Sequence, residues 1–318
     1  MLQRYTTHHV IADALYGQVV LAQDTATGDM VAMKKMDVFA ARKHELVRGD
    51  HRHVDEDIEI EKHVNRILSA NGGHPHILRM RADFIQDGYD HMIFDYCAGG
   101  DLFDALDHGP LPPPVAQRYF RQLALATSYM HAKGIAHRDL SLENVLLHND
   151  NCYVCDFGLA ASVSSRCHDV VGKPFYIAPE SLAGREYDPA KADVWSLGVM
   201  LFMMLTAVPL CTSASLPDSR FLYLKRHGVR RLLESWHIEM GQDELDLLEH
   251  MLCVNPDNRY RMDQVVAHEF VRDRVFERVD SPVALKGDAF PHKATTTSKA
   301  FAIVQRFFHR SMGGAAVL

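Results

Sequence analysis

The spacing of apolar residues changes near residue 100. Before it, the runs His9-Val10-Ile11, Val19-Val20-Leu21 and Met30-Val31-Ala32-Met33 are separated by turn signals such as Thr27-Gly28-Asp29 and predict strands. Residues 36–57 are rich in charge and His and read as a short helix and a solvated loop. From 58 to 70 the period becomes helical, with Ile60, Val64, Ile67 and Leu68 on one face and Asn71-Gly72-Gly73 as the stop. The run from His91 to Tyr96 predicts a buried strand, followed by the flexible pair Gly99-Gly100. Leu111-Pro112-Pro113-Pro114 then opens a long helix over about 115–133, which Gly134 ends. Further helices are predicted at 192–207, 219–235, 243–253 and 262–273, and residues 276–318 read as a tail. A strand-rich part thus precedes a helix-rich one, with no internal repeat.

Composition narrows this picture by exclusion. With 318 residues, 47% hydrophobic and 24% charged, the chain is neither collagenous nor disordered, and it can bury a sizeable core. A net charge of −7 argues against general nucleic-acid affinity, which needs a basic footprint. The 20 His make the charge sensitive to pH near neutrality. The stretch Val194 to Leu210 is interrupted by Ser196, Gly198, Thr206 and Pro209, too short and broken for a membrane span. Six scattered Cys and a start without an apolar leader point to a reduced compartment, cytoplasmic with nuclear entry open.

Three ordered motifs carry the chemistry. His137-Arg138-Asp139-Leu140-Ser141-Leu142-Glu143-Asn144 is followed twelve residues after Asn144 by Asp156-Phe157-Gly158, and then by Ala178-Pro179-Glu180. Val31-Ala32-Met33-Lys34 lies upstream on a predicted strand. In this order and spacing the chain resembles the eukaryotic protein kinases over about residues 5–275, serine/threonine type and nearest to calcium/calmodulin-dependent-like kinases. The resemblance implies an α+β, bilobal fold: an N-terminal antiparallel sheet plus one helix (about 5–95), then a mainly helical lobe (about 98–275). It implies ATP, Mg²⁺ and protein substrates.

By resemblance Lys34 holds the α/β-phosphates and pairs with an acid on the next helix, Glu61 with Glu59 as fallback. Asn65 stands one turn after Glu61, where the family packs an apolar side chain; either closure of that helix is weakened or the register differs. Asp139 is assigned to the substrate hydroxyl, and Asn144 and Asp156 to Mg²⁺ as hard oxygen ligands. Phe94 takes the gatekeeper position, Asp95 and Cys97 offer backbone hydrogen bonds to adenine, and Asp101 faces the ribose. Val19, Ala32 and Leu146 complete the pocket, and Glu143 is a candidate reader of a basic residue in the substrate. The position on the predicted 192–207 helix that would help such reading holds Met203.

Three departures stand out. The expected G-x-G-x-x-G reads Ala12-Asp13-Ala14-Leu15-Tyr16-Gly17, where each added Cβ hinders backbone approach and Asp13 repels phosphate unless it points to solvent. The Lys expected two residues after the catalytic Asp is Ser141, and the family's Gly-Thr-Pro is Gly172-Lys173-Pro174. Lys and hydroxyl have thus changed places: Lys173 is expected to supply the displaced cation and Ser141 the displaced hydroxyl. The alternative is two independent losses in a pseudokinase acting as an allosteric or scaffold partner.

Smaller signals complete the reading. Asp169 occupies the usual phosphorylation position and predicts partial ordering through Arg138, while Ser162, Ser164 and Ser165 are either phosphosites or ordinary loop residues. Glu180 is expected to pair with Arg259, and Asp193 to cap the catalytic-loop backbone. Cys152-Tyr153-Val154-Cys155 is read as strand, not a metal or redox motif, for want of a second ligand pair. Residues 298–310 carry Phe301, Val304, Phe307 and Phe308 with basic flanks, which suits calmodulin binding or intramolecular docking.

Overall fold

The computed structural model describes residues 1–14, 16–43 and 57–272; residues 15, 44–56 and 273–318 lie outside these. The first lobe is an antiparallel sheet of β1 (Tyr5–Ala14), β2 (Gly17–Asp24), β3 (Met30–Asp37), β4 (Met80–Gln86) and β5 (Tyr89–Asp95), in the order β1-β2-β3-β5-β4. Helix α1 (Val38–Lys43) follows β3, and α2 (Ile58–Ser69) packs on the sheet. Asp57 caps α2, its carboxylate accepting from the amides of Glu59 at 2.8 Å and Ile60 at 3.3 Å.

Cross-strand register orders the sheet's cleft face. Ala12 lies opposite Val19, and Val19 opposite Lys34, so the three share one face. Asp13 pairs with Gln18 and Gln18 with Lys35, on the opposite face. Gly17 is demanded by the sheet itself, since a Cβ there would lie 2.1 Å from the Lys35 carbonyl oxygen.

The second lobe opens with α3 (Pro113–Ala132), which has Pro at its first turn. Short strands follow: β6 (Ile135–Ala136), β7 (Val145–His148), β8 (Asn151–Val154) and β9 (Ala161–Ser162), paired β6–β9 and β7–β8. After α4 (Pro179–Leu182) comes α5 (Pro189–Thr206), apolar around nearly its whole circumference and buried from Ala192 to Met204. A helix apolar on all sides can only be a core element, and the largest hydrophobic cluster forms around it. Helices α6 (Ser219–Ser235), α7 (Gln242–Met251) and α8 (Met262–Ala267) close the lobe.

The expected bilobal architecture is the one observed, with local differences. The pattern missed β4, α4 and the short strands β6, β7 and β9, whereas β8 falls on the strand read at 152–155. Ile60, expected on the buried face of α2, is 40% exposed, because that face belongs to Glu61, Val64, Asn65 and Leu68. The helix predicted to 273 ends at Ala267, where His268 turns extended and its ring bonds Asp246 at 2.8 Å. Helix α6 is broken at Gly228.

Glu180 and Arg259 tie the lobe together. The Arg259 side chain is fully buried, and its two terminal nitrogens donate to the Glu180 carboxylate at 2.6 and 2.9 Å. Its Nε donates to the Cys253 carbonyl at 3.0 Å. Removing one partner strands the other charge away from water, so Arg259→Met is expected to lower stability by about 3–5 kcal/mol, measured by urea unfolding.

Candidate active site

The cleft between the lobes is lined by groups that the backbone holds in place before any ligand arrives. From above, Lys34 Nζ on β3 donates to both carboxylate oxygens of Glu61 on α2, at 2.6 and 2.7 Å. This settles the register of α2 in favour of Glu61; the Glu59 side chain is 77% exposed. Asn65 is buried one turn on, its Nδ2 donating to the Glu61 carbonyl at 2.9 Å. Burial pushes the Glu61 carboxyl up more strongly than Lys34 pulls it down, so it protonates above the ordinary glutamate range.

From below, the loop after β6 is pinned by Asp193, fully buried on α5. Its carboxylate accepts from the amides of His137 and Arg138, both at 2.8 Å, and lies 2.8 Å from His131 Nε2. Arg138 and Asp156 both adopt left-handed backbone, φ 64° and 67°, a conformation that non-glycine residues hold only when their surroundings enforce it. The His137 ring lies between the Asp139 amide, 3.3 Å from Nδ1, and the Cys155 carbonyl, 3.1 Å from Nε2, which suits a neutral ring protonated on Nε2.

Asp139 is held from three directions. Asn144 Nδ2 donates to its carbonyl at 2.9 Å and to Oδ2 at 2.7 Å. The Lys173 amide donates to Oδ1 at 3.0 Å, and Lys173 Nζ donates to Oδ2 at 3.0 Å. The same ammonium donates to the buried hydroxyl of Ser141, also at 3.0 Å. Gly172 makes this approach possible: its φ is 99°, and a Cβ would lie 2.8 Å from the Arg138 carbonyl oxygen. Burial disfavours the charged form of Lys173, but Asp139, Glu143 and Asp156 outweigh it and the pKa is raised. Burial likewise opposes charge on Asp156, but Lys34 and Lys173 hold its carboxyl below the usual range.

The side chains suit a divalent cation. The amide nitrogen of Asn144 is spent on Asp139, which turns its carbonyl oxygen outward as the remaining donor, and Asp156 stays ionised: two hard oxygen ligands.

The predicted nucleotide residues divide between the lobes. Ala32, opposite Phe94 in the sheet, forms one apolar cluster with Phe94, Cys97 and Leu146. Ala12 and Asp13 are exposed, and Val19 is half-buried. The Asp95 amide donates to the Arg79 carbonyl at 3.1 Å, and its side chain pairs with Arg81. Asp101 Oδ1 accepts from the Asp104 amide at 2.8 Å, capping a short turn. Glu143 Oε2 and the Tyr176 hydroxyl are both buried and lie beside each other, and burial with the neighbouring Glu143 carboxylate pushes the Tyr176 hydroxyl well up. Tyr176 was not singled out in the sequence, where it reads as one more aromatic before Ala178.

The segment from Asp156 to Glu180 is ordered by Arg138, whose Nε donates to the Leu159 carbonyl at 2.7 Å and whose terminal nitrogen meets Asp169 at 3.2 Å. The Tyr187 hydroxyl donates to the Asp169 carbonyl at 3.1 Å. Cys152 and Cys155 are free thiols, both pushed up by burial, and the Cys152 amide and thiol bond Gln122.

The family described as "Protein kinase domain" matches residues 5–271, and the chain belongs to it. It is similar to CBL-interacting serine/threonine-protein kinase 18 of Arabidopsis thaliana, 32% identical over 279 residues that cover 86% of this chain and 50% of that protein. Rice, Oryza sativa subsp. japonica, has two more such relatives. CBL-interacting protein kinase 4 is 33% identical over 84% of this chain and 57% of its own length. CBL-interacting protein kinase 2 is 29% identical over 95% of this chain and 65% of its own length. The chain thus spans between half and about two-thirds of these relatives.

The raised Glu61 carboxyl gives a pH dependence. Because the fold favours its neutral form, the ionised pair with Lys34 is lost as pH falls through a value above that of a free glutamate, about 4.3. Affinity for an ATP analogue, followed by fluorescence, is expected to fall on acidification above that value, and Glu61→Gln is expected to remove this limb.

Proposed function

We propose that this chain is a serine/threonine protein kinase that transfers the γ-phosphoryl group of ATP to hydroxyl groups of proteins. The observation that carries the proposal is the Lys173 ammonium, 3.0 Å from both Asp139 and Ser141. A cation stands beside the carboxylate assigned to the substrate hydroxyl, although the loop that normally brings it has Ser141 instead.

Each residue then has a task. Lys34, aimed by Glu61, holds the α- and β-phosphates. Asp139 accepts a hydrogen bond from the incoming hydroxyl and orients its oxygen in line with the γ-phosphorus. Lys173 offsets negative charge on the transferring group, in a site whose shape is set before reaction. Asn144 and Asp156 hold Mg²⁺, which when bound neutralises phosphate charge. Ala32, Phe94, Leu146 and Val19 enclose the adenine, with backbone groups of Asp95 and Cys97 at its edge and Asp101 toward the ribose. Glu143, whose carboxylate lies beside the Tyr176 hydroxyl, is the acceptor for a basic residue of the substrate.

The pseudokinase reading rested on the altered phosphate loop and on Ser141. Strand alternation puts Asp13 on the face opposite Lys34, away from the phosphate side, and Lys173 fills the place that Ser141 leaves. The relatives are named as kinases. Their names carry a CBL partner and none carries calmodulin, so a CBL-type protein replaces calmodulin as the proposed partner. The docking segment proposed for it, 298–310, lies outside the described residues.

Incubation with radiolabelled ATP, Mg²⁺ and a generic protein substrate is expected to show transfer that Asp139→Asn abolishes; no transfer and no autophosphorylation would reject the reading. Lys173→Met is expected to lower kcat by about 10²–10³-fold with little change in KM for ATP. The Arg138–Asp169 pair is exposed on its acidic side, so Asp169→Ala is expected to lower kcat by no more than about fivefold.

A further inference from the structure

Helix α2 carries Glu61 to Lys34 and holds itself there partly by apolar contact, with Val64 and Leu68 buried and Ile58 and Ile67 half-buried beside the two clusters. Of its buried side chains only Val64 and Leu68 are apolar; the others are Glu61, Lys62 and Asn65. Asn65 turns back onto the helix's own Glu61 carbonyl.

Charge adds to that packing. Lys62 follows Glu61 and so points about 100° around the helix, toward β4 and β5. It is 4% exposed, and its Nζ donates to Asp90 Oδ2 at 2.7 Å, with Asp83 at 3.9 Å and Glu59 at 3.8 Å. Asp90 is 2% exposed, and its second oxygen has no partner among the described residues. One turn later Arg66 Nε donates to Asp83 Oδ1 at 3.0 Å. At the start of the helix the Asp57 amide donates to the Gly158 carbonyl at 3.1 Å, joining α2 to the Asp-Phe-Gly segment. A buried ion pair adds little net stability over apolar side chains of the same size, but it allows one geometry where apolar contact allows many.

We propose that Lys62 and Asp90 are positioning residues that seat α2 so that Glu61 stays on Lys34. The pair touches neither nucleotide nor substrate. It fixes the helix against β4 and β5, through an acid on the same sheet face as Lys34. The proposal rests on the kinase reading for its effect on turnover, but not for its effect on the helix.

The test uses the full chain with Lys62→Met, Asp90→Asn and the conservative Lys62→Arg. Hydrogen exchange of the α2 amides is expected to quicken about tenfold or more in the first two, with exchange in α5 unchanged. KM for ATP is expected to rise about tenfold, with kcat at saturating ATP and KM for the protein substrate little changed, and Lys62→Arg is expected to stay near wild type. Unchanged α2 exchange with unchanged KM for ATP would overturn the proposal. So would a uniform rise in exchange across both lobes, which marks a merely structural pair. Should Lys62→Met not fold, Asp90→Asn, which keeps a hydrogen-bond acceptor, decides by the same readouts. A wild-type chain that transfers no phosphate would reject the kinase reading, while α2 exchange still decides the clamp.

Discussion

Several carboxylates crowd one partly buried cleft, and they can stay ionised only if cations are built in beside them. Asp139 is 10% exposed at its side chain and Glu61 5%, and Asp156 lies between the two lysines that act on it. Lys34 answers from the upper lobe and Lys173 from the lower. Lys173 is the more constrained of the two, since its amide and ammonium grip the two oxygens of one carboxylate while the ammonium also reaches Ser141. Without an ammonium there, Asp156 would lose one of the two lysines that hold its carboxyl below the usual range, and Asp139 would lose its ion-pair partner.

Much of the lower lobe serves to deliver that lysine. Helix α5 is apolar on nearly all sides, yet it carries Asp193, whose carboxylate is aimed at the two amides preceding Asp139. Gly172 brings its own backbone within contact of the Arg138 carbonyl, which places the next residue against Asp139. The Glu180–Arg259 pair anchors the far end of the same segment. The upper lobe aligns its half differently: β3 offers Lys34 through strand alternation, and α2 offers Glu61 with the help of a buried ion pair to β5.

The chemistry was more legible in the sequence than the scaffold around it. Fixed motif order suggested the exchange of Ser141 and Lys173, because a missing cation at one position and a surplus one at another are visible as letters. Periodicity failed where function dictates polarity. Ile60 looked like the buried member of α2, yet that face must carry Glu61, so Ile60 turns outward. β4 does carry the apolar–polar alternation of a strand over Met80 to Phe84, but the stretch is short, and Arg81 and Asp83 are spent on ion pairs. The Lys62–Asp90 pair joins residues 28 apart and no local rule signals it. Nor could spacing show that Asp13 stands on the face away from Lys34; that needs the register of β1 on β2.

On the proposed mechanism one ammonium, whichever residue carries it, must sit beside Asp139. Exchanging the two side chains back tests this most directly. In a Lys173→Thr background, single-turnover phosphoryl transfer should fall about 10²-fold or more, and adding Ser141→Lys should return it to within about tenfold of wild type. A Lys173→Thr chain with wild-type turnover, or a folded double variant with no recovery, would contradict it.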